Sequence, residues 1–309
     1  MKRYWLFVIT LILLSACNSH VEPPKLEIRE GCDEGQLLLG TAYNSFEEFQ
    51  NCIDVIYSDD KETKVALRHY GKNVISECEL KSGISEKDLL KANSSSIIAK
   101  IKLIIKEPML IADRVDLQRA YLLSRRRPVN FGANDVAFYD LATALTMNID
   151  KEHLGEKYSN DFSEKGFINT FNHFVSQAFI TTLFSRRLAD FIADAHELGR
   201  LPELTTGQFS KSQLDDLKNG PVDNYVDLLN NEWGQSFGER MRSEYNIVRA
   251  SYWTPELMAS YLNEVQSYAS KAFDIGFDPF RPSDAKVIRF ADKINGVMFD
   301  FNAHSENLF

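Results

Sequence analysis

Three short stretches concentrate the residues able to do chemistry: FNHFVSQAF at 171–179, DAHELG at 194–199 and VDLLNNEWG at 226–234. They and their immediate surroundings bring two imidazoles, His173 and His196, the carboxylates Glu197 and Asp227, and the amides of Asn169, Asn230 and Asn231. A histidine oriented by an acid is a general base, so His173, His196 and Asp227 are catalytic candidates, with Asn169, Asn230 and Asn231 binding substrate or stabilising an oxyanion. The same imidazoles with a carboxylate can instead hold a divalent metal, the ligand candidates being His173, His196, Glu197 and Asp227, with an open position for water. HELGR lacks the second histidine of H-E-x-x-H, so the spacing matches no standard zinc motif. The third reading is a buried polar network that fixes helix register.

The elements carrying these residues read as helices. With FINTFNHFVSQAFITTLFSRR as one helix and Asn169 at 0°, His173 falls at about 40°, Ser176 at about −20° and Gln177 at about 80°, while Phe167, Phe171, Phe174, Val175 and Ala178 spread over about 140° to 240°. The polar stripe carries no Lys, Glu or Asp, which predicts partial burial against other polar side chains rather than a solvent face. In LADFIADAHELG the acids Asp190, Asp194 and Glu197 share a side, and His196 lies near Ala189 and Ala193. In DNYVDLLNNEWG the residues Asp223, Asp227, Asn230, Asn231 and Gly234 oppose Val222, Val226, Leu229 and Trp233. A glycine costs about 1 kcal/mol in a helix interior, so Gly234 predicts close approach of a neighbour. Gly234-Gln-Ser236-Phe-Gly238 also fits G-x-S-x-G, but a nucleophile elbow needs a strand before it and the period here is helical.

At these places the chain resembles an uncharacterised bacterial domain family of secreted and envelope proteins, patterned N-x-x-R-H, A-H-E and D-L-x-N-N-x-x-G. Asn169, Phe171 and His173 match the first block, Ala195-His196-Glu197 the second, and Asp227, Leu228, Asn230, Asn231 and Gly234 the third. Asn172 stands where the family's arginine is expected, which puts an anion contact there in doubt. The resemblance supplies a site and not a reaction.

The chain opens with Lys2 and Arg3 before an apolar run, Tyr4 to Leu14, too short to span a bilayer and suited to an export signal. Leu14-Ser15-Ala16-Cys17 resembles the lipobox of bacterial lipoproteins, which implies lipidation of Cys17 and a membrane partner through that anchor. Asn18, by the same resemblance, leans towards the outer membrane, with the domain facing the periplasm. The expected organisation is a signal peptide over 1–16, lipidated cysteine and tether over 17–30, an N-terminal helical region over 31–130, and a helical domain with the polar site over 131–309.

The formal charge of −9 excludes a general affinity for nucleic acid. The basic spots Arg125–Arg127 and Arg186–Arg187 read as cations near helix C-termini. Cys32, Cys52 and Cys78 allow one disulfide in an oxidising compartment, with the pairing open. Capping patterns at Ser45, Ser85 and Thr254 and the absence of a βαβ rhythm predict a mainly α fold, a multi-helix globular domain with few or no short strands, those few at 64–70 and near 286–301. Two functions stay open: a hydrolase acting on an envelope component, with or without a metal, and a non-enzymatic scaffold or ligand-binding lipoprotein whose polar cluster is structural.

Overall fold

Hydroxyl caps begin several helices where the sequence places them. Ser45 Oγ accepts from Glu48 N at 3.1 Å, Ser85 Oγ from Asp88 N at 3.2 Å, and Thr254 Oγ1 from Leu257 N at 3.2 Å with Pro255 in the first turn. The computed structural model describes residues 37–57, 63–70, 75–81, 83–93, 96–158, 161–163, 165–201, 203, 209–216 and 220–300. The expected signal peptide and tether, with Cys17 and Cys32, lie outside the described residues.

The longer helices are α1 (Phe46–Cys52), α2 (Glu86–Asn93), α3 (Ile97–Lys106), α4 (Arg114–Ser124), α5 (Phe138–Met147), α6 (Phe167–Leu183), α7 (Arg186–Leu198), α8 (Pro221–Glu244), α9 (Pro255–Phe273) and α10 (Ala285–Phe299). The fold is mainly α. Among the described residues there is one small antiparallel sheet, ordered β1 (Ile53–Tyr57), β2 (Thr63–Tyr70), β3 (Ile75–Lys81), with Val55 opposite Leu67 and Leu67 opposite Cys78. A hydrophobic core runs from Leu37 to Met298 and centres on α6, whose Phe167, Phe171, Phe174, Val175, Ala178 and Phe179 are all buried. Phe179 meets Tyr261 of α9 at 4.4 Å between ring centroids and Phe290 of α10 at 5.4 Å. Among the described residues no helix is long and apolar enough to cross a membrane.

Four local readings change. The helix capped by Ser45 stops at Cys52, and IDVIY forms β1, because β-branched residues alternating about Asp54 suit a pleated half-buried surface better than a helix. The strand expected near 286–301 is α10, whose Val287, Phe290, Ala291, Ile294 and Val297 are buried at helical spacing. The long helix read through Arg187 breaks after Leu183: Ser185 caps a new one, its Oγ accepting from Leu188 N at 3.2 Å. Arg186 and Arg187 therefore begin α7 instead of ending a helix, and Arg186 is held by Glu232 at 2.7 Å and Glu239 at 2.9 Å rather than by a helix C-terminus. Cys52 is disulfide-bonded and Cys78 is a free thiol buried in β3, so Cys78 drops out of the pairing.

Candidate metal and acid–base site

α6 and α8 run side by side in the same direction, and the polar groups between them pair at a constant sequence offset of 58. Lys165 Nζ donates to Asp223 Oδ2 at 2.7 Å, Asn169 Nδ2 to Asp227 Oδ1 at 2.8 Å, His173 Nδ1 to Asn231 Oδ1 at 3.0 Å, and Gln235 Nε2 to Gln177 Oε1 at 3.2 Å. Each rung is one turn above the last. The helices come this close because glycines line the crossing. A Cβ on Gly234 would stand 2.6 Å from Phe174 O, and one on Gly238 would stand 2.5 Å from Ala178 O. Ser236 lies between them on the exposed face of a continuous helix, within 3.3 Å of Arg186, with none of the strained geometry of a nucleophile elbow.

At the third rung His173 has a defined tautomer. Asn231 Oδ1 can only accept, so Nδ1 carries a proton and the ring turns its Nε2 towards Asp227. Nε2 lies 3.2 Å from Asp227 Oδ2, yet that oxygen accepts no hydrogen bond. Glu197 enters from α7, fully buried, with neither carboxylate oxygen hydrogen-bonded. Burial first, then the charge of Asp227, pushes Glu197 up to about 8, with His173 and Arg200 opposing. Burial and then Asp223 push Asp227 well above the ordinary carboxylate range, against Lys165, Arg200 and the Asn169 bond.

One donor atom from each of His173, Glu197 and Asp227 lies within 4.8 Å of the other two. Ligands around a zinc-sized ion at about 2.1 Å stand roughly 3.4 Å apart, so modest side-chain closure would seat one. Two buried carboxylates facing one another beside an imidazole need a positive charge or protons between them. The donor set, one nitrogen and two oxygens without thiolate, suits zinc or manganese. Asn231 and Asn169 touch two of these donors from outside, as groups orienting metal ligands do.

His196 stands beside the three rather than among them. Its ring centroid is 6.4 Å from that of His173, and its Nδ1 lies 3.1 Å from Glu86 Oε2. Partial burial, then Arg200, lowers its proton affinity, with Glu86 opposing. It is about one-third exposed and His173 less so, which leaves an aqueous approach along the His196 edge. Asn230 points elsewhere: its Oδ1 accepts from Leu38 N at 3.0 Å and its Nδ2 donates to Leu38 O at 2.9 Å, so both amide functions are spent on that backbone. Thr170 Oγ1 donates to the same carbonyl at 2.7 Å. A separate cavity of about 360 Å³, lined by Tyr252, Asp292, Asn295, Gly296, Phe299 and Asp300, shares no residue with the site.

Glu86 and Lys165 are neighbours of the site that sequence reasoning missed. Nothing in the spacing marks Glu86, which arrives from a helix 110 positions away from His196. Lys165 was legible only as the rung one turn before Asn169, once the offset is known. In comparisons with known proteins, no family model, no curated protein and no solved structure matches the chain.

Proposed function

We propose that this is a lipid-anchored protein of the cell envelope, held in the outer membrane with its domain facing the periplasm, whose inter-helix site binds a divalent metal ion and hydrolyses an envelope component. The observation that carries the site reading is Glu197, a fully buried carboxylate with both oxygens unpartnered, facing Asp227 and His173. His173 Nε2, Glu197 and Asp227 are the metal ligands. A bound ion supplies an acidified water and polarises the bond under attack. Asn231 fixes the His173 tautomer, Asn169 steadies Asp227, and His196, held neutral by its surroundings, takes and returns protons at the exposed edge. The lipobox at Leu14–Cys17 supports the anchorage, and the substrate is a glycan, peptide or lipid of the compartment it faces.

Elemental analysis of the full-length protein purified without chelator tests the metal, with about one equivalent of ion expected and lost in His173→Ala and in Glu197→Gln. Hydrolysis of envelope fractions should fail with either substitution and with chelator. Absence of any bound ion, together with no heat of binding for zinc or manganese, would sink the reading.

A second reading has its own support. The rungs at offset 58 and the Asn230 clamp on Leu38 employ many of these polar groups in holding the fold, as in a non-enzymatic scaffold. If His173→Ala and His196→Ala both lower the melting temperature sharply and no metal is found, the scaffold stands. Intact folding with lost metal favours the hydrolase.

A further inference from the structure

α3, IIAKIKLIIK, is a ten-residue helix with no buried residue. Its Ile97, Ile98, Ile101 and Ile105 are 74, 64, 50 and 73 % exposed. With Ile97 at 0°, Ile101 falls at about 40°, Ile105 at about 80° and Ile98 at about 100°, so the four isoleucines make one continuous apolar stripe. Lys102 follows at about 140° and Lys100 at about 300°, one on each side of the stripe, both exposed. A helix this short is marginal in water unless an apolar face is covered, and the rest of the described protein does not cover this one.

We propose that α3 lies in the headgroup region of a phospholipid bilayer, isoleucines inserted among the acyl chains and Lys100 and Lys102 turned back to anionic phosphates. Two features select lipid as the occupant. A stripe of aliphatic side chains flanked by lysines is the arrangement of an interfacial helix, in which long cationic side chains reach up to phosphate while their stems stay in the apolar layer. The charge is also locally inverted: residues 86–106 hold five lysines against two acids, in a chain of net charge −9. That reversal favours an anionic surface for this segment over the acidic remainder of the chain.

The surface is coupled to the site through α2. Lys106 Nζ donates to Gly83 O at 2.9 Å, ahead of α2, and Lys87 Nζ to Gly199 O at 2.7 Å, at the end of α7. Glu86, on the same helix, touches His196. These contacts link the helix seated on lipid to the open edge of the site through α2.

The proposal leans on the anchorage reading only to bring the chain to a bilayer. The test is the full-length protein bearing Ile101→Cys with a polarity-sensitive dye, reconstituted on phosphatidylcholine vesicles with and without phosphatidylglycerol. The buried Cys78 and the disulfide-bonded Cys52 leave position 101 as the reactive thiol in the described domain. The label should shift to the blue, more strongly with phosphatidylglycerol, and be quenched by brominated acyl chains, whereas a label at Lys271→Cys should not change. Lys100→Glu with Lys102→Glu should remove the preference for phosphatidylglycerol, a loss of about tenfold or more in partitioning. Mass spectrometry of Cys17 reads the anchor separately. A lipid-immersed label at position 101 on a chain that also carries Cys17→Ser, and so has neither anchor nor thiol there, leaves the surface standing. A label that stays in water on a vesicle-bound lipidated chain overturns it, as does a shift that needs no lipid and grows with protein concentration, the mark of a second copy in that place.

Discussion

Replacing Glu197 by glutamine separates the electrostatic account of the site from a purely structural one. Glu197 is raised from 4.5 to about 8, so between those values the folded protein binds a proton that the unfolded chain has released. A raised acid makes stability fall with rising pH, starting near pH 4.5 and ending near pH 8. Three and a half units at about 1.4 kcal/mol each give a loss of about 5 kcal/mol, an upper bound for a single carboxyl. Glutamine is neutral throughout. Metal-free Glu197→Gln should match metal-free wild type within about 1 kcal/mol near pH 5, where both side chains are uncharged, and exceed it by several kcal/mol at pH 8. Urea unfolding in chelator at both pH values, followed by fluorescence of the buried Trp233 and Trp253, measures this. Adding zinc or manganese at a hundred times the dissociation constant should then stabilise the wild type by about 2.7 kcal/mol and leave the variant unmoved. Equal pH dependence in the two proteins would refute the claim that Glu197 bears an uncompensated burial cost, and a metal response in the variant would remove it from the ligand set.

Three further outcomes follow from the same contacts. Gly238→Ala puts a methyl against the Ala178 carbonyl and should cost about 1–3 kcal/mol by overpacking the α6–α8 crossing, read by urea unfolding; a neutral result would mean that the helices can part without loss. Asn230→Ala leaves Leu38 N unpaired in the core while Leu38 O keeps its bond from Thr170 Oγ1, with a cost of about 1–3 kcal/mol, and should open the backbone near Leu38 to limited proteolysis; unchanged resistance would show that Thr170 alone holds it. Burial, aided by Glu232, pushes the Cys78 thiol well above its ordinary value, so the native protein at pH 8 should leave it unalkylated until urea is added, and prompt modification without urea would contradict the packing of β3.

Helix content was legible because its signals are local. Ser45, Ser85 and Thr254 announce their helices through bonds three residues long, and the phenylalanines of α6 repeat at a spacing that only a helix buries on one side. What stayed hidden depends on partners far along the chain. IDVIY has apolar spacing too short to separate helix from strand, and β2, ten residues on, settles it by pairing Val55 with Leu67. The break at Ser185 looked like one more polar residue in a long helix, and its capping role becomes visible only when α7 turns away. Within the site, the three blocks pointed to His173, His196, Glu197 and Asp227, of which His173, Glu197 and Asp227 stand together and His196 lies beside them. Asn230 shared the same arc of α8, but a single helix cannot say that the Leu38 backbone occupies that arc.

The offset of 58 shows which members of the stripe read on α6 cross to α8. A step of four residues advances about 400°, so Lys165, Asn169, His173 and Gln177 drift by about 40° per turn, and Gln177 continues that line from His173 while Ser176, about 60° to the other side, leaves it. Ser176 returns its hydroxyl to its own helix, at 2.6 Å from Asn172 O, while Gln177 crosses to Gln235. The drift is useful only because α8 follows it in the same direction, and α8 can follow only where Gly234 and Gly238 let its backbone rest on that of α6. The glycines thus do more than close a gap. By fixing which turn of α8 faces which turn of α6, they put Asn231 on His173 Nδ1 and leave Nε2 facing two carboxylates, so a change that shifts the crossing by one turn would keep every polar residue and still abolish the site.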